Sequence, residues 1–174
     1  PGLDELKTTD VILLFVRRRA LPKEQLDKIR AYLDGGKPLV ALRTCSHAFS
    51  VEAGKKAAPG TDEWREFDHD VLGGNYHSYE KKERRTEIEA VPEAAGHPIL
   101  AGIAPLQWKC TFPLYFVSPL AADAKVLVRG AAAGNTEPVA WTHSYKGTRV
   151  FYSSLGCKDD FDSVPQFSTL LVNA

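Results

Sequence analysis

Arg43, Cys45, Ser46 and His47 follow directly on the apolar run "KPLVAL" (37–42). A cysteine at the end of a buried strand, on a sharp turn and beside a histidine that draws off its proton, could act as a nucleophile at an elbow. Only half of that pattern is present. The local sequence is R-T-C-S-H rather than G-x-C-x-G, and Arg43 falls where the strand ends. Cys45 therefore reads first as a small buried thiol, and second as the nucleophile of a Cys45-dependent hydrolase. His47 either caps a following helix or serves as a neutral acid–base group or metal ligand. Arg43 offers a planar fork to an anionic or polyhydroxylated ligand, or forms a structural ion pair with a nearby acid.

Two further stretches carry candidate chemistry. "FDHDVLGGNYHSY" holds Asp68, His69, Asp70 and His77, which with His47 could complete a divalent-metal site. Against this, His69 and Asp70 point to different faces of a helix, and no HExxH or HxH motif is present. The expectation is no cofactor, with a divalent metal such as zinc as the alternative, and "GGNYH" as a loop lining a pocket. In "VFYSSLGCKDD", Gly156 and Cys157 follow a strand, with Asp159 and Asp160 beyond them. An unperturbed thiol is mostly protonated at neutral pH, so Cys157 is no general base. The aspartates cap the next helix or bind sugar hydroxyls. Trp64, Tyr76, Trp108 and Trp141 supply stacking faces for a sugar ring or fill the core.

These residues need elements to hold them. "DVILLFVR" (10–17) suits a parallel strand covered on both faces. "LPKEQLDKIRAYLDGG" gives a helix with Leu26, Ile29, Tyr32 and Leu33 on one face and Gly35-Gly36 as its stop. With "KPLVALR" they make a βαβ unit. "DEWREFDHDVLGG" is a short helix closed by Gly73-Gly74. "RTEIEAV" alternates like a half-exposed strand, "LYFVSPL" and "AKVLVRG" are further strands, and "PVAWTHSYKGTRVFYSSLG" is a hairpin turning at Lys146-Gly147. "VPQFSTLLVNA" has helical spacing. The class is α/β with a mixed sheet, and ligands of such sheets bind beyond the carboxyl ends of the parallel strands. That directs attention to the residues after Leu42 and after Leu155.

Composition sets the outer bounds. With 174 residues, 44% hydrophobic and 25% charged, the chain can bury a core. Its 22 basic and 22 acidic residues cancel, which points away from a nucleic-acid footprint or a membrane-surface patch. "VRRRA" and "KKERR" read as solvated edges. Three scattered cysteines make no disulfide framework and mildly favour a reducing compartment. The location expected from composition is cytoplasmic, or extracytoplasmic if a signal peptide has been removed.

Taken in order, "KPLVALRTCSHAF", "FDHDVLGGNYH", "HPILAGI", "LYFVSPLAADAKVLVRG" and "EPVAWTHSYKGTRVFYSSLG" resemble the trehalose-utilization (ThuA-like) family from Asp10 onward. The resemblance implies a flavodoxin-like, class I glutamine amidotransferase-like three-layer sandwich, with a mostly parallel sheet and an antiparallel hairpin, as a single domain over 1–174. It implies a role in disaccharide or glycoside utilisation without the amidotransferase nucleophile. The family pattern has a histidine matching His47, and a glycine-histidine pair where this chain has Gly156-Cys157. Members usually begin with a βαβ segment ahead of a strand like "DVILLFV", so the chain is expected to be a segment of a longer one, truncated at its N-terminus.

The combined expectation is a site that binds or transforms a small-molecule carbohydrate. Arg43 orients the ligand, His47 is the acid–base group with His77 beside it, and Asn75, Tyr76, Trp64, Asp160 and Cys157 line the pocket. The alternative is a non-catalytic carbohydrate-binding or interaction module of a larger protein. Neither nucleic acid nor membrane is an expected partner, and a homo-oligomer is possible.

Overall fold

The computed structural model describes residues 3–174. In chain order its elements are β1 (Ile12–Leu14), α1 (Lys23–Asp34), β2 (Leu39–Leu42), β3 (Ser78–Tyr79), β4 (Thr86–Ala90), β5 (Gln107–Cys110), β6 (Tyr115–Phe116), β7 (Lys125–Ala132), β8 (Asn135–Tyr145), β9 (Thr148–Ser153), α2 (Lys158–Ser163) and α3 (Pro165–Asn173). A seven-stranded sheet runs β1-β2-β9-β8-β7-β4-β5, with β3 and β6 paired apart from it.

The expected βαβ unit is present, with β1 and β2 parallel in the register Ile12↔Leu39, Leu13↔Val40 and Leu14↔Ala41. Helix α1 buries Leu26, Ile29, Tyr32 and Leu33, and the Gly35 N–H closes its end by donating to the Ala31 carbonyl at 3.1 Å. Strand β9 pairs parallel with β2 on its other side, so the chain leaves β1, β2 and β9 at the same end of the sheet.

The α/β class holds, but the parallel part stops at those three strands. From β9 the sheet continues antiparallel through β8, β7 and β4 to β5. One hairpin was expected, at Lys146-Gly147, and it is there, with both residues in the left-handed region at φ 49° and 84°. A second joins β7 to β8 at Ala133-Gly134, φ 50° and 80°. Its sequence, "AAAGNTE", lacks the β-branched alternation that announces strands. Close packing of this sheet appears at Gly130, where a Cβ would lie 2.7 Å from Val139 Cγ1 and 2.8 Å from Thr86 Cγ2.

Strand β1 departs from expectation. Instead of being covered on both faces, Val11, Leu13 and Phe15 are 51%, 55% and 49% exposed, while Ile12, Leu14 and Val16 are half-buried. The physical reason is position: β1 is an edge strand, and among the described residues nothing covers its outer face. No helix among the described residues is long and apolar enough to cross a membrane.

Candidate functional site

At the carboxyl end of β2 the chain turns sharply at Arg43, whose φ of 48° is a left-handed value that a non-glycine residue holds only under constraint. Three bonds supply the constraint. The Tyr152 hydroxyl of β9 donates to the Arg43 carbonyl at 2.6 Å, the Thr44 hydroxyl donates to the Val16 carbonyl at 3.0 Å, and the Cys45 thiol donates to the Leu14 carbonyl at 3.0 Å. The 3₁₀ turn Arg43–His47 is thus fastened to the strands on either side. The elbow geometry anticipated from the sequence exists, with arginine at its apex.

Cys45 is fully buried, and desolvation pushes its thiol up to about 11. A nucleophile must be reachable and at least partly thiolate, and Cys45 is neither, so the hydrolase reading loses its physical basis.

Arg43 carries its guanidinium over the Phe112 ring, 3.7 Å from the centroid, and 5.5 Å from that of Tyr115. Its Nη1 is buried without a hydrogen-bond partner among the described residues. It forms no ion pair among the described residues, so the structural-pair alternative for this arginine is not realised.

His47 sits beside it, its ring centroid 4.8 Å from that of Tyr76 and 6.4 Å from that of Tyr115. Burial first, then the positive charges of Arg18, Arg17 and Arg43, bring its pKa down to about 4. The imidazole is therefore neutral at neutral pH. With Ser46 Oγ 3.2 Å from Nδ1, Nε2 is the ring nitrogen left for a ligand.

Tyr76 is brought to His47 by the turn before it. Phe67–Leu72 forms one π-helical turn that ends at Gly73, φ 68°, where a Cβ would meet the His143 ring at 2.8 Å. Asp68 then accepts the Tyr76 N–H at 2.6 Å. Burial lifts this carboxyl to about 6. Asp68, whose type and place would also suit a divalent-metal site, positions the loop.

The other expected residues divide. Neighbouring residues of an extended segment face opposite ways, and His77, exposed, stacks on Phe116 at 6.1 Å rather than joining the His47 ring group. Exposed Asn75 donates to the Ser118 carbonyl at 3.3 Å. Trp64 is buried against Phe49 and Phe67 under the Arg30 guanidinium, contacts of a core side chain. Asp160 is buried and accepts the Gly156 and Cys157 N–H groups at 2.7 and 3.0 Å, while Cys157 is the N-cap of α2. Of the two roles open to this aspartate, helix capping and sugar binding, its hydrogen bonds are those of a cap. His69 and Asp70 pair with each other at the surface, and no cluster of three or more His, Cys, Asp or Glu able to hold a metal occurs among the described residues.

Tyr115, Arg17 and Arg18 belong with the His47 group but are not recognised from sequence as its members. Tyr115 lies in a two-residue strand and looks like core. Arg17 and Arg18 look like a solvated run, and backbone bonds tie the run to the elbow, the Arg18 N–H donating to the His47 carbonyl at 3.0 Å and the Arg19 N–H to the Ala48 carbonyl at 2.6 Å. A cavity of about 950 Å³ lies elsewhere, along the amino-terminal halves of β2 and β9 beside α3, and none of the expected site residues lines it.

Comparison with known proteins places this fold. None of the curated proteins matches the sequence. Among solved structures, a ThuA-like protein from Bacteroides uniformis matches with TM-score 0.71 and 19% identity over 99% of this chain and 70% of its own. A cytoplasmic protein from Salmonella typhimurium matches with TM-score 0.64 and 18% identity over 99% of this chain and 72% of its own. A β-galactosidase from Bacillus circulans matches with TM-score 0.64 and 15% identity over 97% of this chain but 22% of its own. These likenesses establish the fold. The family model described as ThuA, trehalose utilisation, matches residues 2–174, and the chain belongs to that sugar-utilisation family.

Proposed function

We propose that this ThuA-like domain binds a sugar or sugar-derived small molecule at the carboxyl ends of β1, β2 and β9, against Tyr76 and Tyr115, with Arg43 orienting it. The observation that carries the reading is a row of three rings, with Tyr76 4.8 Å from both Tyr115 and the neutral imidazole of His47, whose Nε2 has no hydrogen-bond partner among the described residues. Aromatic faces stack on the apolar face of a pyranose ring, and a neutral histidine accepts a hydroxyl hydrogen bond. Membership of a sugar-utilisation family supports the ligand class.

Between holding and catalysing, the charge state of His47 favours holding. A group that protonates only near pH 4 cannot be a general acid at neutral pH and is a weak base. Thermal unfolding with a panel of mono- and disaccharides tests the proposal, because a ligand that binds only the folded state raises the melting temperature. At least one sugar should do so, and Tyr76→Ala should abolish the effect while His47→Ala weakens it only several-fold. A panel without any stabilising sugar refutes the reading. Turnover abolished in His47→Ala would move it to catalysis by proton transfer.

A further inference from the structure

Resting on that site, the geometry points to an anionic ligand: we infer that the domain selects a sugar-derived molecule carrying a carboxylate or phosphate group, whose oxygens are bound by Arg43 with Arg18 and Arg17. The first ground is the state of Arg43. A guanidinium nitrogen buried with no acceptor loses its hydration without replacement, a cost of the unsatisfied-donor kind. The Phe112 face stabilises the cation but accepts no hydrogen bond in the guanidinium plane. An oxyanion in that plane supplies what is missing.

The second ground is convergence without neutralisation. Arg43 and Arg18 both sit in the left-handed region, φ 48° and 44°, one at the end of β2 and one beyond β1. Arg18 is joined to the elbow through the His47 carbonyl and donates its Nη1 to the Val51 carbonyl at 3.4 Å. Backbone strain at two arginines flanking one histidine is the kind that persists at ligand sites. Arg17, Arg18 and Arg43 all act on His47 and Tyr115, yet none has a carboxylate partner among the described residues. Glu52, which feels Arg18 and Arg17, is paired with Lys55 at 2.8 Å. Asp68 faces inward with one oxygen on the Tyr76 N–H. A positive field left open beside aromatic faces attracts an anion with an apolar ring.

Binding by calorimetry of glucose, trehalose, glucuronate, glucose 6-phosphate and inorganic phosphate, at low and high salt, tests this. One of the two anionic sugars should bind at least about tenfold more tightly than glucose, as hydrogen bonds to a charged partner imply. That preference should shrink as salt rises. Which of the two wins distinguishes a carboxylate from a phosphate site. Arg43→Met, which keeps the stem over Phe112, and Arg17→Gln, at an exposed position that leaves folding intact, should each weaken the anionic sugar by a larger factor than the neutral one, so that the preference shrinks. The His47 titration followed by NMR should move upward with the anionic sugar only. Neutral and anionic sugars binding equally overturns the inference and leaves the sugar-site reading standing. Inorganic phosphate binding as tightly as the sugar phosphate removes the sugar from the inference. Silence from the whole panel overturns both.

Discussion

His47 and Asp68 lie on the same part of the molecule and respond to pH in opposite senses. The folded-state pKa of His47 is lowered from 6.5 to about 4, so between those values the unfolded chain binds more protons and stability rises with pH. The contribution is complete above pH 6.5 and disappears as pH falls toward 4. The Asp68 value is raised from 3.8 to about 6, so the folded state binds more protons across that window and stability falls as pH rises through it. In the wild-type protein the two slopes oppose each other, and melting temperature should change little from these groups between pH 4.5 and 6. Asp68→Asn, which keeps an acceptor for the Tyr76 N–H, should uncover the histidine slope, with roughly 1–3 kcal/mol gained on going from pH 4.5 to 6.5 after allowance for solvent screening. His47→Gln should uncover the reverse slope. Melts of both variants across this range check the assignment, and slopes of the same sign in the two would contradict it.

The elbow depends on elements that meet at it, and its support is measurable. Tyr152, wholly buried on β9, holds the Arg43 carbonyl. Tyr152→Phe leaves that acceptor without its donor and should cost about 1–3 kcal/mol, visible as a loss of roughly 2–10 °C in melting temperature. It should also weaken ligand binding, since Arg43 is no longer fixed; a variant as stable as wild type would mean that the turn is self-supporting. In the antiparallel half, Gly130→Ala forces a methyl group against Val139, Thr86 and Leu114, and overpacking of this kind costs about 1–3 kcal/mol. The same two regions mark what sequence makes legible. Helix α1, β2 and the Lys146-Gly147 hairpin are readable because apolar period, glycine stops and turn residues coincide in a short window. The turn that joins β7 to β8 and strand β5 are not: the turn lies in "AAAGNTE", which has no β-branched alternation to extend either strand into it, and β5 is specified by its pairing with β4, Ile88 opposite Trp108, rather than by local pattern. Arg43 and His47 are legible from their place after a strand, whereas Tyr115, Arg17 and Arg18 join them only through contacts that the chain makes on folding.

Across the whole molecule the end that carries His47 and the opposite end differ in character. One end gathers arginines and tyrosines around His47. The other carries the exposed edge of β1 next to the cavity of about 950 Å³, with Val11, Leu13, Leu171 and Val172 among its lining. Val172 is 86% exposed. An apolar strip beside an unpaired strand edge favours association with another apolar surface, and a second copy of this chain is the surface always available in a pure solution. The isolated chain should therefore bind an environment-sensitive apolar dye at neutral pH and self-associate as its concentration rises. Leu13→Lys combined with Val172→Lys places charge on both sides of the strip, at positions exposed enough that each substitution should cost less than about 0.5 kcal/mol. Dye binding and the associated fraction in sedimentation should both fall in this variant. Sugar-induced stabilisation should persist, since Leu13 and Val172 lie outside the His47 group. Equal sedimentation of the wild type and the variant at all concentrations, with no dye signal from either, would show that the strip drives no association.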